Sequence, residues 1–271
     1  MLTASVLITG STDGLGLATA RSMIQAGHRV MLHGRSKSKL AQLASELKVP
    51  TFQADLSDMR QVQHLALEVN KAGPVDVLIN NAGVLELQNP IMENGLDVRF
   101  VVNTFAAYYL SAHVDAKRVV NLSSAAQAPV DMRMLTGERK GDSSFSVYAQ
   151  SKLAVNMFTS HLATAKKPMV AVNPGSYLAT KMVSEGFGME GQDITVGVRA
   201  LELAAFSPDI ENGGYYDQDN GGWRKNNPEA TNVKKCQQLV SVLDEQIAGL
   251  LGDDAGTGPA AAIAGVEGKG A

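Results

Sequence analysis

The chain reads as α/β: one domain built on a doubly wound parallel sheet of about seven strands. Three observations lead there. Short apolar, β-branched runs recur along the sequence and alternate with longer segments whose apolar residues return at helical spacing. The first such run enters a glycine-rich turn that opens directly into a helical segment, so strand, turn and helix follow in order. A chain of 271 residues can bury one substantial core, and no internal repeat suggests a second unit.

Taken in order, strands are expected at Ser5 to Thr9, Arg29 to His33, Thr51 to Gln53, Val75 to Asn80, Lys117 to Leu122, Met169 to Asn173 and Gly213 to Tyr216. Helices fill the intervening segments. From Ala125 to Phe145 the pattern dissolves into polar and glycine-containing sequence, a length that suits a functional surface loop. The domain is assigned to 1–251, and the glycine- and alanine-rich stretch 252–271, which has no anchoring aromatic, is expected to be a disordered tail.

Composition removes several classes of function. A formal net charge of -3 leaves no basic footprint for nucleic acid. Cys236 is the single cysteine, which rules out an internal disulfide framework and a thiolate zinc cluster. The histidines His28, His33, His64, His113 and His161 lack paired ligand spacing, so no metal is expected. The N-terminus has no secretory pattern and no run of 18 apolar residues occurs. A soluble, cytoplasmic protein without a membrane anchor is expected.

The chemistry is carried by Tyr148 and Lys152. Four residues apart on a helix, they stack a phenol and an ammonium on one face. A free tyrosine has a pKa of about 10, and bringing it to roughly 7 needs about 4 kcal/mol of preferential stabilisation of the phenolate. A nearby cation supplies that kind of stabilisation. By itself the pair fits an ordinary amphipathic helix equally well, so the neighbouring motifs decide. Gly10, Gly14 and Gly16, with Ser11, Thr12 and Leu15 between them, form a T-G-x-x-x-G-x-G turn. There the backbone can approach a pyrophosphate and the next helix can point its N-terminus at it, although a purely structural turn has the same composition.

Together these residues resemble the short-chain dehydrogenase/reductase family, whose fold is of the Rossmann type. The resemblance rests on TGSTDGLG at Thr9 to Gly16, Asp55-Leu56, NNAG at Asn80 to Gly83, Asn103, Ser123-Ser124, YAQSK at Tyr148 to Lys152, and Asn173-Pro174-Gly175 with Thr180 beyond. The motifs keep the family's order from about Thr3 to Asp217. The resemblance implies hydride transfer between a nicotinamide dinucleotide and a small carbonyl or alcohol substrate. Tyr148 would be the general acid or base, Lys152 would lower its pKa and bind the nicotinamide ribose, and Ser124 would orient the substrate oxygen, with Ser123 as the alternative. Asn103 would be the fourth catalytic residue, holding a water beside the lysine. Adjacent strand residues point to opposite faces, so only one of the two serines can fit.

Cofactor choice falls at the end of the second strand, where a carboxylate would repel a 2'-phosphate. This chain has Arg35 and Ser36 there, which favours NADP(H). Asp13 in the glycine turn is a counter-indication, and NAD(H) stays open. Asp55 is read as the acceptor of the adenine amine, with Leu56 beside the ring, or else as a capping aspartate. Asn81, Ala82 and Gly83 would form the cofactor floor, and Pro174, Gly175 and Thr180 would line the nicotinamide.

Two departures from the family pattern bear on partners and substrate. The short span from Asn103 to Lys117 implies a truncated helix, which puts in doubt the homo-oligomer that the resemblance would otherwise imply. The 24-residue step from Ser124 to Tyr148 exceeds the family's common spacing and is similar to that of retinol-dehydrogenase-like, carbonyl-reducing members. It suggests a lid over a partly apolar substrate. Lys181 to Gly197 would supply a mobile cap, and Gly213 to Trp223 the far wall of the pocket. Competing readings are a catalytically silent nucleotide-binding regulator or scaffold of the same fold, and an epimerase or dehydratase acting on nucleotide-sugars. The first would be expected to lose Tyr148, Lys152 or the serine, and the second to carry a longer C-terminal region.

Overall fold

The computed structural model describes residues 3–252. Met1, Leu2 and 253–271 lie outside the described residues, and with them all of the expected tail except Gly252. The chain begins with β1 (Ser5–Ile8), α1 (Gly14–Gln25), β2 (Arg29–Gly34), α2 (Lys37–Leu47), β3 (Thr51–Gln53), α3 (Met59–Ala72) and β4 (Val75–Asn80). It continues through α4 (Val98–Phe100), a π-helical turn (Val101–Ala106), α5 (Ala107–His113), β5 (Ala116–Leu122), α6 (Met132–Leu135), α7 (Ser144–Leu162) and β6 (Met169–Asn173). Last come α8 (Lys181–Phe187), α9 (Thr195–Phe206), β7 (Tyr215–Asp217), β8 (Gly222–Arg224) and α10 (Val233–Leu251).

The sheet order is β3-β2-β1-β4-β5-β6-β7-β8. All seven expected strands are present and pair in parallel. An eighth, β8, adds antiparallel to β7 with Tyr216 opposite Trp223. It holds one apolar residue, Trp223, between a glycine and an arginine, so no apolar run marks it.

Both faces of the sheet are covered, and the middles of the central strands are therefore apolar on both sides, as in Val6 to Ile8 and Val77 to Ile79. Leu7 and Leu78 point into a core shared with α3, α5, α7 and α10, while Val6, Ile8, Val77 and Ile79 point into a second core with α1 and α9. Each fully buried aliphatic side chain of this kind contributes roughly 1.5–3 kcal/mol relative to exposure. Asp13, Asp58, Ser143 and Asn232 cap α1, α3, α7 and α10 by accepting a first-turn amide, each bond stabilising its helix by about 1 kcal/mol. The helix that bears Asn103 stops at His113, and β5 starts soon after at Ala116. The last helix, α10, lies against α3, α6 and α7, and Tyr108 of α5 donates to Asp244 at 2.8 Å.

The strand order decides where a ligand can sit. After β1 the chain builds outward through β2 and β3, then returns to place β4 on the other side of β1. A crevice opens beyond the carboxyl ends of β1 and β4, where the helices diverge.

Candidate active site

That crevice is a cavity of about 720 Å³. One end is the glycine turn. Gly10 has φ +63°, and a Cβ there would come within 2.9 Å of Ala82 Cα. A Cβ on Gly16 would meet both Gly10 O and Asn81 Nδ2 at 2.5 Å. Glycine at these two points lets the turn, α1 and the segment after β4 pack against one another. Asn81 Nδ2 then donates to Thr9 O and Gly10 O at 2.8 and 3.2 Å, and the Ala82 amide donates to Thr9 Oγ1 at 3.1 Å.

His33, which motif reasoning passed over, ties the turn down. Its Nδ1 accepts from the Gly10 amide at 3.1 Å, so its Nε2 carries the proton and donates to Ala54 O at 3.2 Å. Burial pushes its pKa down to about 4, the bond to Ala54 opposing only in part. The signal for it was in the sequence: a polar residue at the end of a buried strand needs partners.

Gly10, Thr12, Gly14, Leu15, Gly16, Arg35, Asp55, Leu56, Asn81, Ala82 and Gly83 all line this part of the cavity. Ser11 and Ser36 do not. Ser11 is fully buried, donating to Ile8 O at 2.8 Å and accepting from the His33 amide at 3.0 Å, so it braces β1 against β2. Ser36 caps α2, accepting from the Lys39 amide. Arg35 is exposed and stands 4.0 Å from Asp55 Oδ2, while Asp55 Oδ1 accepts from the Ser57 amide and hydroxyl at 2.9 and 2.7 Å. Asp13, the counter-indication to a phosphate, is neutralised by its surroundings. The Gly14 amide and then Lys39, 3.2 Å away, hold its carboxyl below the usual range.

The other end carries the residues that the sequence assigned to proton transfer. Tyr148 and Lys152 lie one turn apart on α7, with Lys152 Nζ 5.5 Å from the centre of the Tyr148 ring and donating to Leu122 O at 2.8 Å. Burial pulls the Lys152 pKa down to about 8. Burial also raises the Tyr148 pKa, and a hydrogen bond with the Ser124 side chain opposes this only in part. The expected lowering of the phenol's pKa by Lys152 is therefore not seen in this geometry. The ammonium lies over the ring and is spent on a carbonyl, instead of meeting the hydroxyl.

The two serines, just past the end of β5, point different ways. Ser123 Oγ donates to Lys152 O at 3.1 Å and is buried against α7, whereas the Ser124 side chain bonds Tyr148. Asn103 sits in the π-helical turn, a distortion common at functional sites. It accepts from the Val84 amide at 2.8 Å and donates to Val84 O and Ser151 Oγ at 3.0 Å, behind Gly83 and outside the cavity lining. Ser151 in turn donates to Tyr148 O at 2.7 Å. Asn103 thus holds the backbone next to Tyr148 and lies close to Gly83, as does Lys152.

Pro174, Gly175 and Thr180 line the cavity, as do Val84, Leu85, Leu87, Val98 and Val102, which sequence reasoning missed. The apolar run directly after NNAG was the available signal. Of the expected cap, Lys181, Met182, Val183 and Glu185 reach the cavity, and a Cβ on Gly186 would press within 2.9 Å of Leu85. Residues 188–197 do not reach it, because Gly191 packs against Ala179 at the neck of the loop. Of the 125–145 loop only Ala125, Ala126 and Phe145 line it. Gly213 to Trp223 forms no wall: β7 and β8 fold this segment behind the 173–176 turn, where Tyr215 donates to Ser124 O at 3.0 Å.

A short chain dehydrogenase family profile matches residues 4–190. Among curated proteins, a short-chain dehydrogenase of Penicillium rubens is 32% identical over 68% of this chain and 74% of its own length. Mouse retinol dehydrogenase 13 is 30% identical over 59% of this chain and 53% of its own. A crystal structure of a short chain dehydrogenase from Escherichia coli complexed with NADPH superposes with TM-score 0.64 at 22% identity, covering 79% of this chain and 96% of that one. The chain belongs to the short-chain dehydrogenase/reductase family. It is an oxidoreductase acting on CH–OH or C=O groups with a nicotinamide dinucleotide. No helix among the described residues is long and apolar enough to cross a membrane.

Proposed function

We propose that this chain interconverts a ketone or aldehyde and its alcohol with NADP(H), using Tyr148 as general acid and base. One observation carries the reading: a single cavity joins the glycine turn, Arg35 and Asp55 to Tyr148, Ser124 and Lys152. Its volume of about 720 Å³ and its glycine-walled end suit a dinucleotide. Arg35 would hold a 2'-phosphate, Asp55 and Leu56 the adenine, and Pro174, Gly175 and Thr180 the nicotinamide, which supplies or accepts the hydride.

The chain's own part is proton transfer and charge stabilisation. Ser124 donates a hydrogen bond to the carbonyl oxygen, and Tyr148 gives that oxygen its proton as negative charge develops there. Lys152, cationic below about 8, stabilises the phenolate that remains. Burial keeps Tyr148 protonated, the form that donates to a carbonyl oxygen. Asn103 acts from behind, through Val84 and Ser151. The apolar side of the cavity, with Leu85, Val102 and Met182, suits a partly apolar substrate, in keeping with the name of the retinol dehydrogenase relative. A cytoplasmic location belongs to the same proposal and rests on the single cysteine.

The test is NADPH oxidation against a panel of ketones and aldehydes, with NADH in parallel and Tyr148→Phe as control. The expected result is turnover with NADPH and a loss of about 1,000-fold in the variant. Dinucleotide binding without turnover across the panel would shift the reading to a silent nucleotide-binding scaffold, and a fully active Tyr148→Phe would take Tyr148 out of the acid role.

A further inference from the structure

The segment after β7 does not touch the groove, yet one wall of the groove is anchored there. Asp219 lies in the 3-10 turn Gln218–Asn220. Its carboxylate accepts from the Ser176 amide at 2.8 Å, the Ser176 hydroxyl at 2.6 Å and Asn173 Nδ2 at 2.9 Å. Asn173 and Ser176 bracket Pro174 and Gly175, so a single carboxylate grips both ends of a cavity-lining turn. Gly175 has φ +118°, and a Cβ there would lie 3.8 Å from Asp219 Oδ1, which puts the carboxylate directly beside the turn. Asp217, which is buried, completes the arrangement. It shares the Asn173 amide at 2.7 Å and accepts from the Asp219 amide at 3.1 Å and from Asn220 Nδ2 at 2.6 Å. Burial pushes the Asp219 carboxyl up, but the Ser176 hydroxyl, the Ser176 amide and Asn173 outweigh it and hold it below the usual range. The clamp is therefore charged at neutral pH, when its hydrogen bonds are strongest.

We propose that Asp219 is a positioning residue for the nicotinamide half of the cofactor site: without touching the cofactor, it fixes the Asn173–Ser176 turn so that Pro174 and Gly175 present an immobile wall. The inference rests on the assignment of that turn to the nicotinamide. A glycine in a conformation closed to other residues has many alternatives once its flanking bonds are cut. A ring displaced by an ångström loses much of its hydride-transfer rate.

The test measures affinity for NADPH and for adenosine 2',5'-bisphosphate by calorimetry, together with kcat, in the wild type, Asp219→Ala, Ser176→Ala and the double variant. Asp219 is exposed and Ser176 approaches the same contact from the other side, so the pair of variants separates loss of the clamp from failure to fold. Asp219→Ala is expected to raise the NADPH Kd about tenfold and lower kcat about tenfold. Ser176→Ala, which keeps the amide contact, should cost about threefold, and the double variant no more than Asp219→Ala alone. Bisphosphate affinity should stay within about twofold, since that fragment occupies only the Gly10 to Arg35 end. Unchanged NADPH affinity and kcat in both single variants overturn the proposal. So do strictly additive losses, or a parallel loss of bisphosphate affinity, which would mean general loosening. A wild type that binds neither compound overturns the cofactor reading itself, and the clamp with it.

Discussion

At the Gly10 end of the groove the floor is backbone held by polar groups with named partners: Gly10 on His33, Ala82 on Thr9, Asn81 on the turn carbonyls. At the mouth the walls are side chains from distant segments. Leu85, Val102, Phe145 and Met182 come from four separate stretches, and Phe145 is half exposed. The first end is one rigid object specified by close approach. The second is an assembly of apolar surfaces whose shape depends on how α8 and the 125–145 loop settle. The proposed chemistry lies where the two meet, with Ser124 just past the end of β5, Tyr148 on α7, and apolar side chains on the substrate side.

The largest effect that could break this contrast lies at the junction. Ser124→Ala should lower kcat about 100-fold or more while leaving dinucleotide affinity within twofold. Ser123→Ala should cost only about 1 kcal/mol of stability through the lost bond to Lys152 O. Steady-state kinetics and melting curves of both variants check this, and the reverse pattern would show that the strand end is misread.

The rigidity of the turn end is tested next, through His33. The unfolded chain binds a proton there below 6.5, whereas the folded chain resists until about 4. Stability is therefore full above 6.5 and falls as pH descends through that window, by on the order of 3 kcal/mol from this residue. Urea midpoints at pH 7 and pH 4.5 should diverge strongly in the wild type and much less in His33→Gln. Equal slopes would remove His33 as the tie.

A smaller effect sharpens the cofactor half. Arg35→Asp should reduce kcat/KM for NADPH by about 10- to 100-fold, the scale of a lost charge-assisted hydrogen bond, and leave NADH use nearly unchanged. An unaltered NADPH to NADH ratio would take Arg35 out of cofactor choice. The smallest effect belongs to the mouth. Phe145→Ala should shift thermal stability by only about 0.5 kcal/mol, because the ring is half exposed, yet change KM for bulky apolar carbonyls several-fold. A KM that ignores Phe145 across the panel would detach the mouth from substrate recognition.

Much of the fold was legible because its signals are local. Runs such as Val6 to Ile8 are apolar throughout since both faces are buried, and caps such as Asp13 sit next to what they cap. Tyr148 and Lys152 were legible for the same reason, their helical spacing being a property of adjacent turns. Ser11 was misread because a glycine turn shows where the backbone bends but not which way each side chain leaves it. Gly213 to Trp223 was misread because its aromatics suggest a pocket wall, while β8, which folds it away, has a single apolar residue between a glycine and an arginine and so no run to mark it.

The residues in order determined a parallel sheet wound both ways, a glycine bend between its first strand and helix, and a phenol one helical turn from an ammonium. Each of these depends on neighbours within a few positions. Only tertiary packing decided that Ser124 and not Ser123 faces the phenol, that burial, opposed in part by Ser124, sets the phenol's affinity for its proton, and that Asp219 reaches back to hold Ser176. Those outcomes depend on distances between segments far apart in the chain and on how much water the fold excludes, and neither is written in local spacing.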